Sequence, residues 1–139
     1  MTAKQYLQQL TRLQTNIKKL QDEIEERRTR LTSTTMPLGE KVQSSPSGDR
    51  FADMIASLAD RDLFCQGLIC DYEDMRDRIV EEITGLENEQ EITVLYERYV
   101  RGKYWDRIAS EMHYSKQHIF RIHGRALVSF AKKYPQRLL

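Results

Sequence analysis

Three side chains with paired hydrogen-bonding groups recur along residues 115–133. On a helix, at about 100° per residue, Gln117, Arg121 and Arg125 share one face with Gly124. A Gln amide can make two hydrogen bonds to the edge of an adenine, and an Arg guanidinium can make two to a guanine, both in the major groove of DNA. Gly124 has no side chain, so a partner could approach the backbone closely there. This face therefore predicts contact with base edges.

The residues around this face extend the same chemistry to the sugar–phosphate backbone. Lys116, His118 and Phe120 flank it, and the Phe120 ring is equally suited to touch a thymine methyl group or to pack on a neighbouring helix. Ser115 is expected to cap the helix, whose N-terminus favours phosphate. Basic residues also lie near the start of the preceding helix, which usually meets the DNA backbone. The candidate DNA-binding residues are Arg101, Lys103, Arg107, Ser115, Lys116, Gln117, His118, Phe120, Arg121 and Arg125.

Two helices and a tight turn must position these side chains. Apolar residues stop at Met112 and resume at Ile119, with the polar stretch HYSKQH between them. Helices are therefore expected over residues 104–112 and 115–133, and a turn of this length between them predicts a helix-turn-helix. The side chains expected to face inward are Ile108, Ala109, Met112, Ile119, Ile122, Ala126 and Phe130.

A third helix, over residues 89–100, is expected to complete this small domain. Its inward side chains are predicted to include Leu95 and Tyr99. Tyr104 and Trp105 are expected to pack in the same three-helix core, with the alternative that one of the two rings lies on the sugar–phosphate backbone.

A series of short motifs within residues 94–133 is typical of a known family. Arg98-Tyr99 ends one helix and is followed by Gly102. Ile108-Ala109 lies in the next helix, Ser115 is at the cap, and Arg125-Ala126-Leu127 closes the series. These motifs resemble region four of bacterial sigma factors. The whole chain, with a long helical front and this tail, resembles small phage-encoded transcription regulators of the ArpU and RinA kind. The resemblance implies late-gene activation through sequence-specific binding to double-stranded DNA, with RNA polymerase as a further partner.

Two departures from the sigma pattern qualify what the resemblance implies. The turn usually has Gly after its first helix, and here that residue is His113. His adopts the left-handed backbone conformation more readily than most residues with a side chain, so the turn is expected to form at some strain. No sigma region that opens a promoter is present, which favours a regulator over a complete sigma factor.

The charges of the chain are divided unevenly along it. Residues 1–100 contain 13 Lys and Arg against 19 Asp and Glu, a balance of −6. Residues 101–139 contain 9 Lys and Arg against 2 acids, a balance of +7. A basic end of this kind indicates a polyanionic partner.

The front of the chain predicts two long amphipathic helices. Residues 4–31 and 50–86 place apolar side chains at alternating three- and four-residue steps, the heptad pattern of a helical seam. Residues 32–49, rich in Ser, Thr, Pro and Gly, are expected to form a linker, with Asp49 capping the second helix. The predicted seam consists of Tyr6, Leu10, Leu13, Ile17, Leu20, Ile24 and Leu31, then Phe51, Ile55, Leu58, Cys65, Ile69, Tyr72, Ile79, Ile83 and Leu86. Arg27, Asp62 and Arg76 interrupt it and are hypothesised to fix register or oligomeric state.

These patterns predict an all-α fold: a long N-terminal helical hairpin or coiled coil, followed by a small three-helix helix-turn-helix domain. Residues 1–86 form the predicted oligomerisation region and residues 87–139 the predicted DNA-binding domain. In the simplest architecture the first helix folds back antiparallel on the second, but a coiled coil between chains would use the same seam. A homo-oligomer is expected, with a dimer as the first choice.

Other classes of protein find little support in the residues. No apolar run approaches the length of a membrane span and the N-terminus has no apolar signal core, so a cytoplasmic protein with no membrane partner is expected. His113, His118 and His123 are about 140° apart on a helix and cannot share one metal ion. Neither a Gly-rich phosphate loop nor a Ser/His/Asp arrangement stands out. We expect neither an enzyme nor a cofactor-binding protein.

Two further functions stay open. A protein-interaction module would use the acidic front, or the tail, to contact a basic partner or RNA polymerase without reading bases. A phage DNA-packaging component would also combine such a motif with helical oligomerisation, although such proteins place the motif at the front of the chain.

Overall fold

The computed structural model describes residues 1–35 and 46–139 and, over those ranges, contains helices and no strands. Two long helices come first, α1 (Ala3–Thr35) and α2 (Pro46–Thr84). A short α3 (Glu89–Leu95) continues as a π-helical turn (Tyr96–Val100). Then come α4 (Trp105–Met112), α5 (Lys116–Lys133) and a 3₁₀ turn (Pro135–Leu138). The predicted all-α fold is confirmed. None of the helices in the described ranges is long and apolar enough to cross a membrane.

Both long helices extend into the segment predicted as a linker. In α1, the hydroxyl of Thr32 donates a hydrogen bond to the carbonyl of Arg28 (2.9 Å), so this side chain bonds within the helix instead of ending it. Helix α2 begins at Pro46, whose fixed backbone angle suits the first turn of a helix. The prediction that Asp49 caps α2 is therefore wrong, because Asp49 lies inside the first turn, where its charge favours the helix dipole. The rest of the predicted linker, residues 36–45, lies outside the described residues.

The chain divides into two compact units. One of them comprises residues 15–71. Its buried side chains include Ile17, Leu20 and Ile24 from α1 and Cys65 from α2, all predicted seam positions. Arg28 of α1 forms an ion pair with Asp62 of α2 (2.7 Å). Farther along α1, Leu31 lines a cavity with Met54, which precedes Asp62 on α2. Later residues of α1 thus contact earlier residues of α2. The two helices therefore pair antiparallel within one chain, the simpler of the two predicted arrangements.

The second compact unit comprises residues 1–14 and 72–139. It therefore contains the whole predicted DNA-binding tail and, in addition, the first turns of α1 and the last turns of α2. One apolar core joins them. Its fully buried side chains (at most 1% exposed) are Leu7, Leu10, Ile79, Ile83, Leu95, Ala126 and Phe130. Leu7 lies outside the predicted heptad seam and is nevertheless 0% exposed.

A buried carboxylate joins three segments of this unit. Glu82 of α2 is 6% exposed and accepts a hydrogen bond from the hydroxyl of Tyr6 (2.8 Å). Its other oxygen accepts a hydrogen bond from Nε of Arg137 in the 3₁₀ turn (2.5 Å). Burial, together with this carboxylate, raises the pKa of Tyr6 to about 12. Through these two hydrogen bonds, Glu82 holds the C-terminal 3₁₀ turn against α1 and α2.

Candidate nucleic-acid interface

The turn between α4 and α5 has the predicted geometry. His113 adopts the left-handed conformation (φ 59°, ψ 39°), and the next amide, that of Tyr114, donates a hydrogen bond back to the carbonyl of Ala109 (3.0 Å). Ser115 is extended and its hydroxyl accepts a hydrogen bond from the amide of His118 (3.1 Å). The predicted left-handed histidine and the predicted serine cap are both confirmed. They end α4 and begin α5 within three residues.

A small apolar cluster sets α4 against α5. Ile108, Ile119 and Ile122 are at most 1% exposed, and Ala109 is 6% exposed, as the sequence predicts. Val94 of α3 joins this cluster and was not among the predicted inward residues. Farther along α5 the inward side chains belong to the larger core of the same unit. Burial at successive turns fixes which side of α5 faces outward.

The outward side of α5 is the predicted base-reading face. Gln117, Arg121 and Arg125 are exposed, and a side chain added at Gly124 would meet no atom within 4 Å. Residues 116–133 include no Asp or Glu, so nothing on this helix opposes an anion. Two exposed apolar side chains complete the face, Phe120 (46%) and Val128 (55%). The structure brings these side chains together on one solvent-facing surface.

Two of the flanking residues have partners near the turn. Lys116 forms an exposed ion pair with Asp106 of α4 (2.8 Å), which a phosphate could replace at little cost. The ring of His118 lies edge-on to that of Tyr114, with 4.6 Å between their centres. The hydroxyl of Tyr114 in turn accepts a hydrogen bond from the amide of Gln90 (2.7 Å). The turn is thus tied to α3 beside the predicted interface.

The basic residues before and within α4 differ in their availability to a partner. Lys103 is 12% exposed, and its ammonium lies 2.7 Å from Glu111 and 2.5 Å from Glu97. The hydrogen bonds to Glu111 and then to Glu97 raise the pKa of Lys103. Arg107 is 68% exposed and pairs with Glu111, and Arg101 is 56% exposed and lies 3.9 Å from Glu97. Arg101 and Arg107 can therefore reach a phosphate more readily than Lys103, whose role on DNA stays a prediction.

The two aromatic residues at the start of α4 do not share one environment. Tyr104 is 80% exposed, so the expectation that both rings pack in the core is wrong for Tyr104. Trp105 packs against the small cluster, and the guanidinium of Arg98 lies 4.6 Å from its ring centre. The Phe120 ring lies edge-on to Trp105, 5.4 Å between ring centres. Phe120 thus both contacts a neighbouring helix and stays half-exposed on the α5 face.

The contacts of His123 were not predicted from the sequence. Its Nε2 and the hydroxyl of Tyr99 share a hydrogen bond (2.7 Å), and its ring lies edge-on to Trp105 (4.7 Å). Burial, with smaller contributions from the charges of Lys4 and Arg98, lowers the pKa of His123 to about 4. Burial also raises the pKa of Tyr99 to about 12. The signal in the sequence is its spacing, four residues after Ile119 and three before Ala126, which places it on the inward side of the helix.

The arrangement as a whole offers a surface for a polyanion. It combines an exposed helix with two arginines and a glutamine, a tight turn that fixes this helix, and exposed cations at the start of α4. Within residues 1–35 and 46–139 no group of His, Cys, Asp or Glu side chains is arranged to hold a metal ion. No family model matches this chain, and neither the curated proteins nor the solved structures give a match.

Proposed function

We propose that this protein is a sequence-specific, double-stranded DNA-binding transcription regulator that inserts α5 into the major groove. The observation that carries the proposal is the outward face of α5, where Gln117, Arg121 and Arg125 are exposed on a helix without acidic residues. These are the side chains that can pair with adenine and guanine edges. Helix α4, held against α5 by the buried cluster, would cross the sugar–phosphate backbone.

The resemblance to sigma region four and to phage regulators of the ArpU and RinA kind narrows the proposal. On that resemblance the protein acts in the bacterial cytoplasm on phage late-gene promoters, in contact with RNA polymerase. Its support is the motif series and the helix-turn-helix that the motifs predicted, with a histidine in the left-handed position of the turn.

The central test compares two arginines of the proposed interface. Arg121→Ala removes a side chain proposed to read a base, so binding to the selected site should weaken by about 1–3 kcal/mol and selectivity should relax at one base pair. Arg101→Ala removes a proposed phosphate contact, so binding should weaken equally on all sequences. The full chain is used to select bound fragments from random duplex DNA, and each variant is then measured on the selected site and on scrambled DNA. An equal loss on every sequence for both variants would contradict the assignment of Arg121.

We also propose that the protein acts as a homodimer, paired through α2. Two neighbouring large apolar side chains of the unit formed by residues 15–71 are left in solvent, Leu63 (72% exposed) and Phe64 (59% exposed). Contiguous exposed apolar surface marks sites of protein–protein contact, and this pair is the centre of the proposed contact. Because α1 and α2 pair within one chain, a second copy would use a surface other than their shared seam. A two-fold dimer predicts inverted half-sites separated by about 10 bp or a multiple.

One observation favours a protein partner for the tail instead. Phe120 and Val128 place exposed apolar surface on the same face of α5 as the two arginines. Aromatic and arginine side chains together are typical of protein interfaces. A gel-shift measurement of the full chain on random duplex DNA at low salt separates the two functions, because the complete absence of a shift would favour the protein-interaction module.

A further inference from the structure

A cavity of about 320 Å³ opens between the first turns of α1 and the start of α4. All of its lining belongs to the compact unit formed by residues 1–14 and 72–139. Lys4 and Gln8 line it from α1, Arg98 lines it from the π-helical turn, and Tyr104 and Trp105 line it at the start of α4. None of the residues that line it is acidic. Its chemistry is therefore that of an anion site with aromatic walls.

The two cations of this cavity have free capacity for an anion. Within the described ranges no carboxylate forms an ion pair with Lys4 or with Arg98. Arg98 donates one hydrogen bond to the carbonyl of Lys103 (2.9 Å) and lies over the Trp105 ring, which fixes the direction of its guanidinium. A positioned guanidinium loses less conformational freedom when it binds an oxyanion than a mobile one does. Both positive charges also act on the half-buried His123.

Trp105 lies between the cavity and the outward face of α5. Trp105 lines the cavity and its ring contacts that of Phe120, which lies on the α5 face. Tyr104, 80% exposed, forms part of the same rim. When a duplex holds α5 in its major groove, its backbone is expected near the start of α4, where Tyr104 and Trp105 line the cavity.

We infer that this cavity receives a phosphate of the DNA backbone, and that Lys4 of α1 and Arg98 hold it. The inference rests on the proposed DNA-binding function and deepens it. The first turns of α1 become part of the DNA interface, in addition to their place in the apolar core. The ligand class is the phosphodiester of a duplex, recognised independently of base sequence.

The test uses the full chain and a matched pair of lysines on one helix. Lys4→Ala removes the proposed phosphate contact, and Lys18→Ala removes the same charge from an exposed position in the other compact unit. Binding to a fluorescent duplex is measured by anisotropy at several salt concentrations. Lys4→Ala should weaken binding roughly threefold to tenfold on all sequences and reduce the steepness of the salt dependence by about 0.9 in log–log slope. Lys4→Arg should retain both, and Lys18→Ala should match the wild type.

The outcomes separate this inference from the function on which it rests. If the wild type binds no duplex at low salt, both fail. If the wild type binds and Lys4→Ala behaves like Lys18→Ala, the inference alone is overturned. The single tryptophan gives a second readout, because Trp105 lines the cavity. Its emission should change with duplex and not with inorganic phosphate at equal ionic strength. A saturable response to inorganic phosphate with none to duplex would assign the cavity to a free anion and overturn the inference.

Discussion

Acidification should destabilise this protein through one histidine on the inner side of α5. Folding lowers the pKa of His123 from 6.5 to about 4, chiefly because the ring is buried beside Tyr99. Between these two values the unfolded chain carries a proton on His123 that the folded chain does not. The unfolded state therefore gains stability as the pH falls from about 6.5 to about 4, and the stabilisation that the neutral ring contributes at pH 7 is lost over that window.

The size of the effect follows from the shift. The pH of 5 lies 1.5 units below the unfolded pKa of 6.5, and a full shift would lower the free energy of unfolding by about 2 kcal/mol at that pH. The ring is only partly shielded from solvent, so we reduce this to about 1 kcal/mol. The measurement is urea unfolding at pH 7.5 and pH 5.0 for the wild type and for His123→Gln, whose amide can still bond to Tyr99 but does not titrate.

The other titrating groups cancel in this comparison. His113 and His118 are present in both proteins, so only the difference between the two pH dependences reports on His123. The wild type should lose about 1 kcal/mol more than His123→Gln between pH 7.5 and pH 5.0. Parallel losses in the two proteins would refute the reasoning, because they would show that the histidine titrates in the same way in the folded and unfolded chains.

The remaining predictions concern a buried carboxylate and an exposed ring. Glu82→Gln removes the charge that accepts hydrogen bonds from Tyr6 and Arg137, so urea unfolding should show a loss of about 1–3 kcal/mol, whereas exposed Glu81→Gln should stay within about 0.5 kcal/mol of the wild type. Equal effects of the two changes would contradict the role assigned to the carboxylate. Phe64→Glu introduces a charge at the proposed dimer contact, so sedimentation equilibrium should show a monomer that keeps its helical circular dichroism. A dimer that survives this change would exclude Phe64 from the interface.

The sequence predicted the helix-turn-helix well because its determinants are local. The inward isoleucines of α4 and α5 recur at helical spacing, and a serine before the second helix needs no distant partner to act as a cap. His113 could be assigned to the left-handed position because it stands where the sigma pattern usually has Gly, and His adopts that conformation more readily than most side chains do. The outward face of α5 follows once the inward face is known.

The contacts that the sequence could not predict join residues far apart in the chain. Tyr6 meets Glu82, and the first turns of α1 share a core with α5, although nothing in their heptad pattern specifies that partner. Lys103 belongs to a basic stretch, so its charge was expected to be available to a phosphate. In the structure its ammonium instead forms ion pairs with Glu97 and Glu111. Periodicity identifies which side of a helix is buried, but not which element covers it.

The two faces of α5 make the proposed reading of bases depend on packing inside the protein. Near its start the inward side chains Ile119 and Ile122 rest on α4 and α3, while Ala126 and Phe130 rest on the core that includes the first turns of α1. Two clusters therefore fix the rotation of the helix at two points along its length. A helix held at only one point could roll, and a side chain that reads a base edge must be placed to within a fraction of an ångström. The first turns of α1 thus serve the proposed interface twice, because they hold the far end of α5 in place and carry Lys4, the proposed phosphate contact.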